Sequence, residues 1–254
     1  MLAAAPGTAA RPAVRDPEAA ARTIVALDCS AARATELADK LAGELAWAKV
    51  GMELFYAAGA PVVRELKDRG LRVFLDLKLH DIPNTVRCAA RELARLGADM
   101  LTVHAQGGPA MVAAAREGLD EGAREAGLPP ARLLAVTVLT SIDQKTLAEV
   151  GVERPVADQA RLLAAMAREA GADGVVCSAL EAAAMRSALG AHALVVTPGI
   201  RPAGAETGDQ ARVATPASAI AAGSSHLVVG RPVTKAPDPR AALAAIVDEV
   251  RSAL

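Results

Sequence analysis

The sequence predicts an α/β fold closed into a (β/α)8 TIM barrel, and three observations lead there. Short β-branched or aliphatic runs recur eight times, each followed by a longer segment of helical periodicity, an alternation that demands parallel pairing through crossover connections. The chain has 254 residues, a length that suits such a barrel. A doubly wound open sheet is the alternative, but no G-x-G-x-x-G follows the first run, where a dinucleotide fold would place its phosphate turn.

The expected strands are, in order, "TIVALD" (23–28), "WAKVGM" (47–52), "RVFLDLKL" (72–79) and "MLTVHA" (100–105), then "LLAVTVLT" (133–140), "GVVCS" (174–178), "ALVVTPGI" (193–200) and "HLVVG" (226–230). Helix signals fill the intervals. Ser30 can cap a stripe of Leu37, Leu41 and Leu45, while Pro83, Pro109, Pro155 and Pro239 stand where a first helical residue would be. Glycines 70, 97, 127, 171 and 190 close helices. Gly-Ala-Asp occurs at 97–99 and again at 171–173, each time between a helix and the next strand, the one internal echo of a repeated βα unit.

Composition narrows the class. With 52% hydrophobic and 22% charged residues the chain can bury a full core, and with 2% aromatics that core must come from Val, Leu, Ile and close Ala packing. A net charge of -1 without Lys/Arg clusters argues against a nucleic-acid partner. Three cysteines without C-x-x-C spacing indicate neither zinc nor disulfides and suit a cytoplasmic setting. No apolar stretch approaches the roughly 20 residues that span a bilayer. Residues 1–20, interrupted by Pro6 and Gly7, read as a flexible N-terminal extension, and 21–254 as a single catalytic barrel domain.

Charges gather where strands end. In the third strand Phe74, Asp76 and Lys78 share one face, and Val73, Leu75, Leu77 and Leu79 share the other. The aliphatic face must meet the helices, which turns Asp76 and Lys78 towards the barrel axis, with Asp81 in the loop beyond. The same alternation puts Asp28 at the end of the first strand, Lys49 in the second and Thr140 at the end of the fifth. Polar groups thus converge on the rim at the carboxyl ends of the strands, where barrels of this kind build sites. A self-satisfied buried ion network is the competing reading. Lysine usage weighs against it: of 28 basic residues only six are Lys, and two of those six stand on this rim, where only an ammonium readily gives up a proton.

Asp28, Asp76 and Asp81 could offer oxygen to Mg²⁺, but two neighbouring ammonium groups oppose a cation, so no metal is expected. No G-x-S-x-G supports a serine nucleophile, and His80 and His104 read as structural or orienting. After the seventh strand, "TPGIRPAGAETGDQARVATP" (197–216) reads as a loop carrying Arg201 and Gln210. After the eighth, "VVGRP" places Gly230 and Arg231 at the strand end, where bare N–H groups and a guanidinium can hold a phosphate.

These residues resemble the bacterial form of a known family, the orotidine 5'-phosphate decarboxylases. "ALD" (26–28), "KVGMELF" (49–55), "DLKLHDIPNTV" (76–86), "LTS" (139–141), "GVVCSALE" (174–181), "VTPGIRP" (196–202), "DQARVATP" (209–216) and "VVGRP" (228–232) match its motifs in its order, over about residues 23–250. The resemblance implies decarboxylation of orotidine 5'-phosphate to uridine 5'-phosphate and CO2, the last step of de novo UMP biosynthesis, with no metal or organic cofactor. It implies Lys78 as proton donor, Asp76 beside the scissile carboxylate, and Asp28 and Lys49 on the ribose hydroxyls. Thr140 would lie near the pyrimidine ring, Gln210 between base and phosphate, and Arg201, Gly230 and Arg231 on the phosphate. Asp81 and Thr85 would reach the neighbouring site of a homodimer. Two alternatives stay open: a Mg²⁺-dependent sugar-phosphate decarboxylase or aldolase of the same superfamily, which can share Asp-x-Lys-x-x-Asp, and a phosphate-binding barrel without catalysis.

Overall fold

Eight parallel strands close in sequence order into one barrel, the last pairing with the first. The computed structural model describes residues 12–202 and 213–254. The strands are β1 (Thr23–Ala26), β2 (Trp47–Gly51), β3 (Arg72–Leu79), β4 (Met100–His104), β5 (Arg132–Val136), β6 (Gly174–Val176), β7 (Leu194–Thr197) and β8 (His226–Val229). Up to the barrel's midpoint the helices are α1 (Pro17–Ala21), α2 (Ala31–Lys40), α3 (Met52–Ala58), α4 (Ala60–Asp68), α5 (Pro83–Ala94) and α6 (Gly108–Ala126). The second half adds α7 (Gln144–Glu149), α8 (Val156–Glu169), α9 (Ala182–Leu189), α10 (Pro216–Ala221), α11 (Arg231–Thr234) and α12 (Pro239–Arg251). All eight expected strands are present, and the (β/α)8 TIM barrel is the observed fold.

The local signals act as expected, with small shifts. Ser30 caps α2 by accepting the Arg33 N–H, and Leu37, Leu41 and Leu45 are buried. Pro83 and Pro239 open α5 and α12, whereas Pro109 is the second residue of α6 and Pro155 caps α8 from outside it. Glycines 70, 97, 127, 171 and 190 all adopt positive φ just past helices. β5, β6 and β7 end earlier than their apolar runs, because Val138, Cys177 and Gly199 leave the ladder to line the barrel mouth. Residues 12–20, expected within the extension, include α1, whose Ala19 and Ala20 are buried, while Arg15 meets Glu44 at 3.1 Å and Asp248 at 2.9 Å.

The Gly-Ala-Asp echo has a physical role. Asp99 accepts the Val73 N–H on Oδ2 at 2.7 Å and returns its own N–H to the Val73 carbonyl at 2.8 Å. Asp173 does the same with Leu133, at 2.8 Å in both directions. Ser225, two residues after Gly223, is a third copy in which Oγ accepts the Val195 N–H at 2.9 Å. Each clamps the start of an odd strand to the turn before the following even one. The third copy is spelled Gly-Ser-Ser, so the identity of the tripeptide does not reveal it.

Two apolar layers hold the barrel. Inside, Ile24, Trp47, Phe74, Met100, Leu134 and Val196 pack around the axis; outside, Val73, Leu75 and Leu77 belong to the larger layer between sheet and helices. The alternation along β3 is therefore the expected one. Each fully buried Leu, Val or Phe contributes about 1.5–3 kcal/mol relative to exposure. The single Trp fills the floor of the barrel, with His226 edge-on at 5.8 Å and the Arg72 guanidinium 5.3 Å from its ring centre.

α5 and α6 are drawn together by missing side chains. A Cβ on Gly118 would fall 2.1 Å from the Arg87 carbonyl oxygen, and one on Gly122 would fall 2.2 Å from that of Arg91. Backbone cannot step aside as a flexible side chain can. Gly118→Ala should therefore destabilise the fold by about 3 kcal/mol through overpacking, despite the better helix propensity of Ala. A midpoint in urea equal to that of the wild type would show that α5 is free to shift.

Burial pushes the His226 imidazole down to about 4, and the charges of Arg22 and Arg72 add to the effect. Its folded form disfavours the proton, so its contribution to stability is fully present above the ordinary value of 6.5 and is lost as pH falls towards 4. Between pH 7 and 4.5 the wild type should lose about 2 kcal/mol more than His226→Gln in urea unfolding. Equal losses would mean that His226 does not resist protonation.

Candidate active site

At the carboxyl ends of the strands an open cavity of about 570 Å³ receives Asp28, Lys49, Asp76, Lys78, Thr140, Arg201, Gly230 and Arg231. Most of the residues singled out from sequence thus meet in one place. Asp81 and Thr85 do not line it: both are exposed, on the loop after β3 and in the first turn of α5, and Asp81 Oδ1 accepts the Ile82 N–H at 2.6 Å. Gln210 and the middle of its loop lie outside the described residues.

The rim charges alternate. Lys49 Nζ donates to Asp28 Oδ1 at 2.8 Å and lies 3.5 Å from Asp76 Oδ2; Lys78 Nζ donates to Asp76 Oδ1 at 2.8 Å. Asp28, Lys49, Asp76 and Lys78 form a chain of opposite signs, with Lys49 and Asp76 largely buried and the two ends open to the cavity. Burial works to raise the Asp76 carboxyl, but the Lys49 and Lys78 ammonium groups, with hydrogen bonds from Lys78 and Thr102, outweigh it and hold the acid below its ordinary 3.8. Asp76 is therefore a carboxylate at neutral pH, and it fixes the ammonium of Lys78 at the cavity wall.

His104 ends β4 with its ring 5.4 Å from that of His80. Burial lowers its imidazole, as do the charges of His80 and Lys78, against an opposing pull from Asp76. It stays neutral beside Lys78 at pH 7. Among the described residues no group of three or more His, Cys, Asp or Glu is placed to hold a metal ion.

Three residues escaped the reading from sequence. Thr102 accepts the Lys78 N–H at 2.9 Å and donates to Asp76 at 3.1 Å; the inward alternation of Met100, Thr102 and His104 along β4 was the available signal. Gly51 lets Asp28 and Lys49 meet, since a Cβ there would stand 2.7 Å from Asp28 Oδ1 and 2.8 Å from Lys49 Nζ. Lys235, four residues beyond Arg231, adds a cation to the wall near the expected phosphate end.

Barrel and rim together define a class: a (β/α)8 enzyme whose cavity carries an ammonium between carboxylates and, in the same lining, two arginines. The chain belongs to the orotidine 5'-phosphate decarboxylase / HUMPS family, whose model matches residues 21–246. It is 54% identical over 231 residues to the orotidine 5'-phosphate decarboxylase of Moorella thermoacetica, covering 90% of this chain and 92% of the relative. It is 56% identical over 230 residues to that of Alkalilimnicola ehrlichii, covering 90% and 96%. The crystal structure of the Lactobacillus acidophilus orotidine 5'-phosphate decarboxylase superposes with a TM-score of 0.80 at 44% identity, covering 94% of this chain and 99% of that one.

Proposed function

We infer that the chain decarboxylates orotidine 5'-phosphate to uridine 5'-phosphate and CO2, the last step of UMP biosynthesis. The observation that carries the reading is the Asp28–Lys49–Asp76–Lys78 chain on the wall of a cavity that also holds Arg201 and Arg231, in a member of this family. The bond between ring carbon and carboxylate breaks, its electron pair stays on the ring carbon, and CO2 leaves. Lys78 faces that carbon, stabilises the charge as it develops and gives up its proton to it; solvent returns the proton to the amine. The reaction balances without an oxidant or reductant.

The other roles are those that the family resemblance implies. Asp28 and Lys49 hold the ribose hydroxyls, Thr140 meets the base, and Arg201, Gly230 and Arg231 take the phosphate, with Gln210 bridging base and phosphate from its loop. Asp76 neutralises and aims Lys78. Asp81, on the loop after β3, and Thr85, in the first turn of α5, serve the site of a second copy in a homodimer. Residues 21–254, with α1 packed on them, make up the one catalytic domain of a cytoplasmic enzyme. No described helix is long and apolar enough to cross a membrane.

A chelator separates this reading from the Mg²⁺-dependent sugar-phosphate alternative. Turnover of orotidine 5'-phosphate that survives EDTA supports it; activity on a keto-sugar phosphate, restored only by Mg²⁺, rejects it.

A further inference from the structure

β3 does not run evenly into its loop. Phe74 and Leu75 pair with Met100 and Leu101, but the next pair is Leu79 with Val103, so Asp76, Leu77 and Lys78 together stand opposite Thr102. Such a bulge re-aims side chains and leaves ladder groups unpaired. Lys78 takes the distortion at φ +50°, the one positive φ of a non-glycine among the described residues. A non-glycine residue in the left-handed region carries strain and persists where its surroundings over-determine it.

The hydroxyl of Thr102 supplies that constraint. It accepts the displaced Lys78 N–H at 2.9 Å and donates to Asp76 Oδ1 at 3.1 Å, and the same Oδ1 accepts from Lys78 Nζ at 2.8 Å. One buried oxygen thus ties down Lys78 at both ends, its backbone directly and its ammonium through Asp76. Val would fill the same space and offer neither a donor nor an acceptor. Ser would keep both.

We propose that Thr102 is a positioning residue for the reaction: its hydroxyl holds the bulged backbone at Lys78 and orients Asp76, so that the ammonium stands at the reacting carbon. The assignment rests on the decarboxylase reading. Thr102 is fully buried and is not among the residues lining the cavity, so its removal acts on the chemical step and spares binding.

The test measures kcat and KM for orotidine 5'-phosphate, and Kd for uridine 5'-phosphate, in T102V, T102S and T102A. For T102V kcat should fall about 10- to 100-fold, the scale of a misplacement near 1 Å, with KM and Kd within about threefold of the wild type. T102S should keep kcat within about threefold. If T102V does not fold, T102A takes its place, with the same loss expected relative to T102S. A hydroxyl-free variant with wild-type kcat, or a T102S that falls as far as T102V, overturns the proposal while leaving the decarboxylase reading intact. A wild type that binds uridine 5'-phosphate and does not consume orotidine 5'-phosphate overturns both.

Discussion

Lys78→Ala should lower kcat for orotidine 5'-phosphate by at least about 10⁴-fold, because in the proposed reaction one change removes both the charge that stabilises the electron pair left on the ring carbon and the proton that quenches it. Nucleotide affinity should change little. In the proposed reading the grip on ribose and phosphate lies with Asp28, Lys49, Arg201 and Arg231, which line the cavity from other strands and loops. Kinetics together with calorimetric titration of uridine 5'-phosphate read the two effects separately. A variant that turns over at the wild-type rate would remove Lys78 from the chemistry, and one that loses binding in proportion would make it a ligand-holding residue.

Asp76→Asn should damage activity and stability together. It leaves two ammonium groups beside an uncharged amide, with burial around Lys49 and Lys78 that makes an unneutralised charge expensive. Breaking a buried pair costs about 3–5 kcal/mol, and the lower end is expected because Asp28 still neutralises Lys49 at 2.8 Å. Turnover should fall by about 10²–10³-fold as Lys78 loses the partner that aims it. The pH dependence has a definite sign. With its carboxyl held below 3.8 in the fold, Asp76 contributes fully above that value and loses its contribution as pH falls through the lower folded-state value. Urea unfolding at neutral pH measures the stability loss, and a variant as stable as the wild type would mean that solvent already screens the pair.

Much of the barrel was legible because period and punctuation agree. Val73, Leu75 and Leu77 against Phe74, Asp76 and Lys78 fix which face of β3 meets the helices, and that alternation alone turns the charges inward. Strand ends were harder to place: the apolar runs 133–140 and 193–200 continue past the last ladder pairs because the cavity wall, like the ladder, is built of apolar residues. The bulge after Leu75 is invisible to a period-two reading, which treats Lys78 as ordinary extended backbone when it is left-handed. Thr102 and Gly51 were missed for a related reason. Their roles depend on atoms brought close by pairing between strands, 24 residues away for Thr102 and Lys78, and no local pattern encodes such a distance.

Asp81 and Thr85 illustrate a different limit. They are exposed on the loop after β3 and at the start of α5 and do not line the cavity, and the site proposed for them belongs to a second copy, which the sequence of one chain does not display. A Cβ on Gly118 would meet the backbone of Arg87, two residues beyond Thr85, so a substitution there should disturb the start of α5 as well as the stability.

The most direct measurement is a crystal structure with uridine 5'-phosphate bound. The expected result places Lys78 Nζ about 3–3.5 Å from the ring carbon that carries the carboxylate in the substrate, with the phosphate on Arg201 and Arg231. A nucleotide seated with that carbon far from Lys78, or an amine turned into solvent away from it, would contradict the assignment of the proton to this lysine.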